Sequence, residues 1–235
     1  MAKEGWQVLD EEESRVMKRT SSKYKRELNL IVDLLDAYVG AFGLIGSLPE
    51  DNDLQLAWLL LVTRSFNSMR CAYDLLRRGY YSQALSLLRS VDEDWLICKD
   101  CEKHQPTLDA LLHEKGELGK GDLTYGKMAE REGIKQEWDQ GYGHLSKFAH
   151  GRPLALDVLI DPGSHEVRLG AHYDRVLLTY CCEVLIQAAL RMTKYLVSAL
   201  GSRAELWMKE TEAIVKEARV WLAELGQRYL CKDAT

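Results

Sequence analysis

From residue 22 onward, apolar residues recur at intervals of three and four, the spacing that lays one stripe along an α-helix. Leu28, Ile31, Val32, Leu35, Tyr38, Phe42 and Ile45 form the first stripe. The segment SLPEDND, residues 47–53, breaks it at a proline and offers carboxylates to the next N-terminus. A second helix begins near Asp53, apolar nearly all round through Val62 and then striped by Phe66, Met69, Tyr73 and Leu76, so it is expected to be central. Gly79 stands where a C-cap takes a left-handed residue, and Ser82 is a possible N-cap for a third helix carrying Ala84, Leu87, Leu88, Val91, Trp95 and Cys98. So short a turn makes the two helices antiparallel neighbours.

KHQPTLDALLHEKG offers a proline at a first helical position and a glycine stop, and predicts a shorter fourth helix. The five glycines of EKGELGKGDLTYGKMAEREG, residues 114–133, predict a long surface connection with at most a turn or two of helix. Trp138, Tyr142, Leu145 and Ala149 mark a further helix, ended by GRP at 151–153. Leu154, Leu156, Val158 and Ile160 alternate, DPGS makes a turn, and Val167 and Leu169 alternate again, which predicts a β-hairpin. Two long helices follow, from about His172 to Leu200 and from about Arg203 to Tyr229. No repeat or linker divides the chain. The pattern predicts an all-α fold: a charged N-terminal arm over 1–21, then one bundle of six or seven helices over 22–235, with a small hairpin insertion near 154–170.

Composition agrees with a chain of 235 residues that buries a sizeable core, with 46% hydrophobic and 29% charged residues. A net charge of -5 argues against a broadly basic nucleic-acid binder, though a local basic groove is allowed. The N-terminus carries acids where a signal peptide needs an apolar core, and the run LQLAWLLLV is too short to span a bilayer. A cytoplasmic protein with no membrane association is expected. Six scattered cysteines then read as reduced core residues.

Candidate chemistry is sparse. Cys98, Cys101 and His104 share a helical face, but a second half of a zinc site is missing, and neither a metal nor a cofactor is expected. The Glu-x-x-His pair of di-iron bundles, a phosphate loop, a nucleophile elbow and the zinc-protease motif are all absent. Arg64, Arg70, Arg77, Arg78 and Arg89 crowd the second and third helices, and Asp74 is placed to make surface pairs with Arg70 and Arg78. Arg89 differs, sitting among Leu87, Leu88, Val91 and Trp95, where its head group needs a partner; Glu93, one turn on, supplies one. In YGHLSKFAHG, residues 142–151, Ser146 and His150 stack on one face with Gly143 a turn earlier, beside Tyr142. Gly141 and Gly143 each cost about 1 kcal/mol in a helix relative to alanine, which points to a close helix approach, a kink or room for a ligand. His150 lies at the helix C-terminus near Arg152, and is either a proton-transfer group or a cap of its own helix.

SLLRSVDEDWL, followed about fifty residues later by YGHLSKFAHG, resembles a group of bacterial helical proteins with the pattern Leu-Leu-Arg-Ser-x-x-Glu, then Leu-Ser-x-x-x-His, akin to HEPN domains. The likeness covers roughly residues 55–155. It implies a helical bundle, often a homodimer, used in RNA cleavage, nucleotide binding, or bacterial defence and toxin systems. Its candidate site has Arg89, Glu93, Ser146 and His150 as catalytic groups, with Tyr142, Gly143 and Arg152 binding the ligand. The chain departs from the HEPN ribonuclease pattern, which puts arginine and histidine on one helix with four to six residues between them. Arg168 and His172 are one residue short of that. A non-catalytic dimerisation or interaction module, its polar cluster structural, is the competing reading.

Overall fold

The computed structural model describes residues 5–45, 52–150, 159–160, 167 and 170–232, with side chains up to Gln227. Its elements are α1 (Gly5–Lys23), α2 (Lys25–Leu44), α3 (Asp53–Arg78), α4 (Tyr81–Cys101), α5 (Gln105–Leu112), α6 (Tyr125–Arg131), α7 (Lys135–Ala149), α8 (Arg175–Leu200) and α9 (Ala204–Lys232). The all-α class holds, with more helices than the six or seven the pattern predicts.

Helices α3 and α4 form the antiparallel pair at the centre, with α8 against both. The turn between them needs Gly79: its φ is +88°, and a Cβ there would lie 2.2 Å from the His172 carbonyl oxygen. Helix α4 begins at Tyr81, so Ser82 is not its N-cap. Asn52 caps α3 by accepting the Gln55 N–H at 2.9 Å, and Asp174 caps α8 in the same way through Leu177. Around this core, α2 packs on α8 and α9. Its buried Tyr38 donates to the Ala189 carbonyl at 2.6 Å, and Trp207 of α9 donates to the Ala37 carbonyl at 2.7 Å. The segment Arg175–Gln227, which includes α8, is by length and composition long and apolar enough to cross a membrane, and half of its apolar 18-residue stretch is buried within the bundle, as in the core helix of a bundle.

Two expectations are corrected and a third is filled in. The charged N-terminal arm expected over 1–21 is, from Gly5, the helix α1 (Gly5–Lys23) packed on the bundle. It buries Val16 and Thr20, and Glu13 accepts from Arg78 at 2.9 Å and from Tyr80 at 2.7 Å. Its buried strip is too narrow to register as a stripe. The glycine-rich stretch 114–133 holds α6, about two turns long as the expectation allowed, and its Met128 and Ala129 are fully buried; seven residues give too little periodicity to place it. The β-hairpin is not seen: the described residues contain no strand, only an isolated antiparallel bridge between Ile160 and Val167. Ile160 and Val167 are both exposed, and a lone two-stranded hairpin is marginal without a buried face. The rest of 154–169 lies outside the described residues.

Candidate functional site

The sequence VDED in α4 puts three consecutive acids, Asp92, Glu93 and Asp94, into the interior. Successive helical residues point about 100° apart, so each meets a different neighbour. Asp92 accepts from Arg191 of α8 at 3.0 Å. Asp94 accepts from Arg64 and from Ser65 of α3, the latter at 2.8 Å. Two turns on, Asp100 takes Nε and Nη2 of Arg131 from α6 at 3.0 and 2.7 Å, and the Thr107 hydroxyl of α5. Burial pushes the Asp92 and Asp94 carboxyls up, against the pull of Arg191 and Arg64. At Asp100 the burial is outweighed by Arg131 and Thr107, and its carboxyl is held below the usual range.

Glu93 faces α7. Its Oε1 accepts from the Tyr142 phenol at 2.7 Å and pairs with Arg89 Nη2 at 3.2 Å. Arg89 Nη1 lies 3.0 Å from His150 Nε2, across 61 residues of sequence. The guanidinium also sits 5.6 Å from the centre of the Tyr142 ring, close enough for a cation–π contact. Ser146 lies beside the Tyr142 phenol and pulls its pKa down, against burial and Glu93. Thus Arg89, Glu93, Tyr142 and His150, named from sequence in one candidate site, form a connected cluster on the α4–α7 seam, with Ser146 beside the phenol. Arg152 lies outside the described residues. Burial, then the carboxylate of Glu93, pushes the Tyr142 phenol up to about 12, so it stays a donor at neutral pH.

The cluster is graded from interior to solvent. Glu93 is 8% exposed and the Arg89 side chain 21%, whereas His150 is an exposed residue at the C-cap of α7. His150 closes its helix through its backbone N–H, which donates to the Ser146 carbonyl at 3.1 Å, while its ring turns to Arg89. Unlike Arg64 and Arg131, which grip one carboxylate through Nε and Nη2, Arg89 splits its end nitrogens between a carboxylate and an imidazole. Its buried Nε meets no hydrogen-bond partner. If protein groups alone surround it, the imidazole accepts from Arg89 through an unprotonated Nε2.

The glycines of α7 do not mark a close helix approach. A Cβ on Gly141 or Gly143 would meet nothing within 4 Å, so the space beside Gly143 is open. His144 faces away from the cluster, edge-on to Tyr180 of α8 at 5.3 Å, and burial lowers its basicity. Tyr125 escaped the sequence reading because it sits in the supposed loop. From α6 its ring packs 6.0 Å from Tyr142 and 6.3 Å from Trp138, which stacks on Tyr142 at 4.4 Å. The Trp138–Tyr142 spacing of four was its only legible trace.

Away from the seam, the other polar and thiol candidates have ordinary structural surroundings. Cys98 and Cys101 are buried thiols, and burial pushes Cys101 up to about 12. His104 bonds Thr107 at 2.9 Å, and no group of three His, Cys, Asp or Glu side chains among the described residues could hold a metal ion. Arg70 pairs with Asp74 at 2.6 Å as expected, but Arg78 goes to Glu13 instead. No protein-family model, curated protein or solved structure matches the chain.

Proposed function

We propose that this chain is a HEPN-like helical protein directed at RNA or a nucleotide, holding a phosphate ester at the Arg89–His150 edge of the α4–α7 seam. The observation that carries this reading is the 3.0 Å contact between Arg89 Nη1 and an exposed histidine. A phosphate oxygen is a stronger, charge-assisted acceptor for guanidinium than imidazole is. Such an anion displaces His150 from Arg89 and leaves its ring to donate to a second oxygen or to move a proton. Glu93 and Tyr142 hold the guanidinium in place meanwhile, so the site needs little reorganisation.

The competing reading, a non-catalytic module whose cluster fixes helix register, is favoured by one observation: the other acid–arginine pairs of α4 are plainly structural. The test is binding of labelled short RNA and of nucleotides to the purified chain. Arg89→Ala and His150→Ala are each expected to weaken binding about tenfold or more, the worth of a hydrogen bond to a charged group. The exposed His150 should leave the thermal midpoint nearly unchanged when removed. Where cleavage accompanies binding, His150→Ala should lower its rate by roughly 10²–10⁴-fold. A wild-type protein that binds neither probe, with a destabilised His150→Ala, leaves only the interaction module.

A further inference from the structure

At the solvent end of the α4–α7 seam, a group that can only donate meets one whose role depends on a proton. Arg89 Nη1 lies 3.0 Å from His150 Nε2, and a guanidinium never accepts. A neutral imidazole with its proton on Nδ1 accepts this bond. An imidazolium, with N–H on both nitrogens, cannot, and two cations then face each other. The charges around the ring give that proton its weight. From α4, Arg89 and Glu93 pair at 3.2 Å and cancel, while Asp92 and Asp94 are taken by Arg191 and Arg64. From α7 come Ser146 and the Tyr142 phenol, a neutral donor to Glu93; His144 turns to Tyr180 of α8. Lys147, one turn before His150, is exposed, and solvent and salt screen it. Tyr125 of α6 adds a ring 6.0 Å from that of Tyr142. With His150 neutral, the Arg89–Glu93 pair has no net charge and its outer edge is covered.

We infer that the Arg89–His150 contact is a proton-operated latch: the neutral ring closes the guanidinium edge, and a proton taken from solvent onto Nε2 drives the ring off Arg89 and supplies the charge that holds an anion between them. This rests on the phosphate-ester reading of Arg89 and His150, and adds how that site is regulated. Imidazole suits the task, as the side chain whose charge ordinarily changes between about pH 5 and about pH 8. The sign follows from the donor count. The anion takes the form of the site in which both Arg89 and His150 donate, so its binding draws in a proton and its affinity rises as pH falls. Glu93 and Tyr142 keep the guanidinium in place through the change, which confines the movement to the exposed ring at the end of α7.

The test uses a dinucleoside monophosphate of uridine, whose phosphodiester keeps the same charge throughout this range, so that any pH dependence belongs to the protein. Titration calorimetry on the full chain gives its affinity at about pH 5.5 and about pH 8. Repeated at neutral pH in two buffers of different ionisation enthalpy, it gives the protons taken up. The wild type is expected to bind about tenfold or more tightly at the acid end, with a net uptake of protons. His150→Gln keeps a neutral acceptor beside Arg89 at every pH. It should bind with one affinity at both pH values and take up no proton, its deficit against the wild type being largest in acid. Wild-type affinity that is equal or lower in acid, or proton uptake that survives in His150→Gln, overturns the latch and leaves the phosphate site standing, the ring then binding by a change of tautomer alone. A wild type that does not bind at either pH removes the phosphate site and the latch together.

Discussion

Glu93 accepts from both Tyr142 and Arg89 on a single oxygen, in a position 8% exposed. Removing its carboxylate leaves a buried guanidinium edge and a phenol without acceptors, whereas removing the phenol alone leaves the ion pair intact. Glu93→Ala is therefore expected to lower stability by roughly 1–3 kcal/mol, and Tyr142→Phe by about 1 kcal/mol or less. Urea denaturation measures both as shifts of the midpoint at unchanged slope. A Glu93→Ala protein that unfolds at the wild-type midpoint contradicts the buried network. The pairing of Arg89 with Glu93 was legible from sequence, because an arginine in an apolar stretch needs an acid one turn away. Its contact with His150 was not, since nothing in local spacing links two residues so far apart in the chain.

At the scale of the element, α4 is a strut whose acids each engage a different helix. Asp100 is the one whose folded-state pKa moves down. The folded protein then releases that proton more readily than the unfolded chain. The resulting stabilisation is present above the ordinary value of 3.8 and is lost as pH falls through the lower folded value. Asp92 and Asp94 act with the opposite sign, because their carboxyls are raised and their charged forms are disfavoured by burial until acid neutralises them. Asp100→Asn should lower the thermal midpoint at neutral pH but lose less of it between about pH 5 and about pH 2 than the wild type does. Calorimetry at the two pH values decides the matter, and a variant as acid-sensitive as the wild type would assign the acid lability elsewhere.

For the whole molecule, the outermost helix α9 turns Trp207, Ala218, Trp221 and Leu225 inward yet leaves Leu206 55% and Val220 46% exposed. Positions 206, 213 and 220 lie seven apart and so nearly on one line of the helix, with exposed Ala213 between the two larger residues. A twofold copy of the chain that covers this line is in keeping with the proposed HEPN likeness, and closed twofold pairs are the commonest assembly. Sedimentation at micromolar concentration is expected to give about twice the chain mass of 26.8 kDa. A species of single-chain mass throughout that range refutes the pairing.

Local periodicity determined the helices whose apolar stripes are long, α2, α3, α4, α7, α8 and α9, and with them the all-α class, because burial of a stripe repeats every three or four residues and is written in the residues themselves. It also marked Arg89, Glu93, Tyr142, Ser146 and His150 as polar groups in apolar company. Tertiary structure decided everything whose cause is a partner distant in the chain. Helices α1 and α6 exist through docking rather than amphipathic length, as Glu13 on Arg78 and Arg131 on Asp100 show. The alternation at 154–169 met no packed face at Ile160 or Val167. Arg64, one of five arginines crowding the second and third helices in sequence, is tied to a carboxylate 30 residues away. The candidate site has the same origin: its residues are separately visible in sequence, but only the packing of α7 on α4 sets the imidazole of His150 against the guanidinium of Arg89.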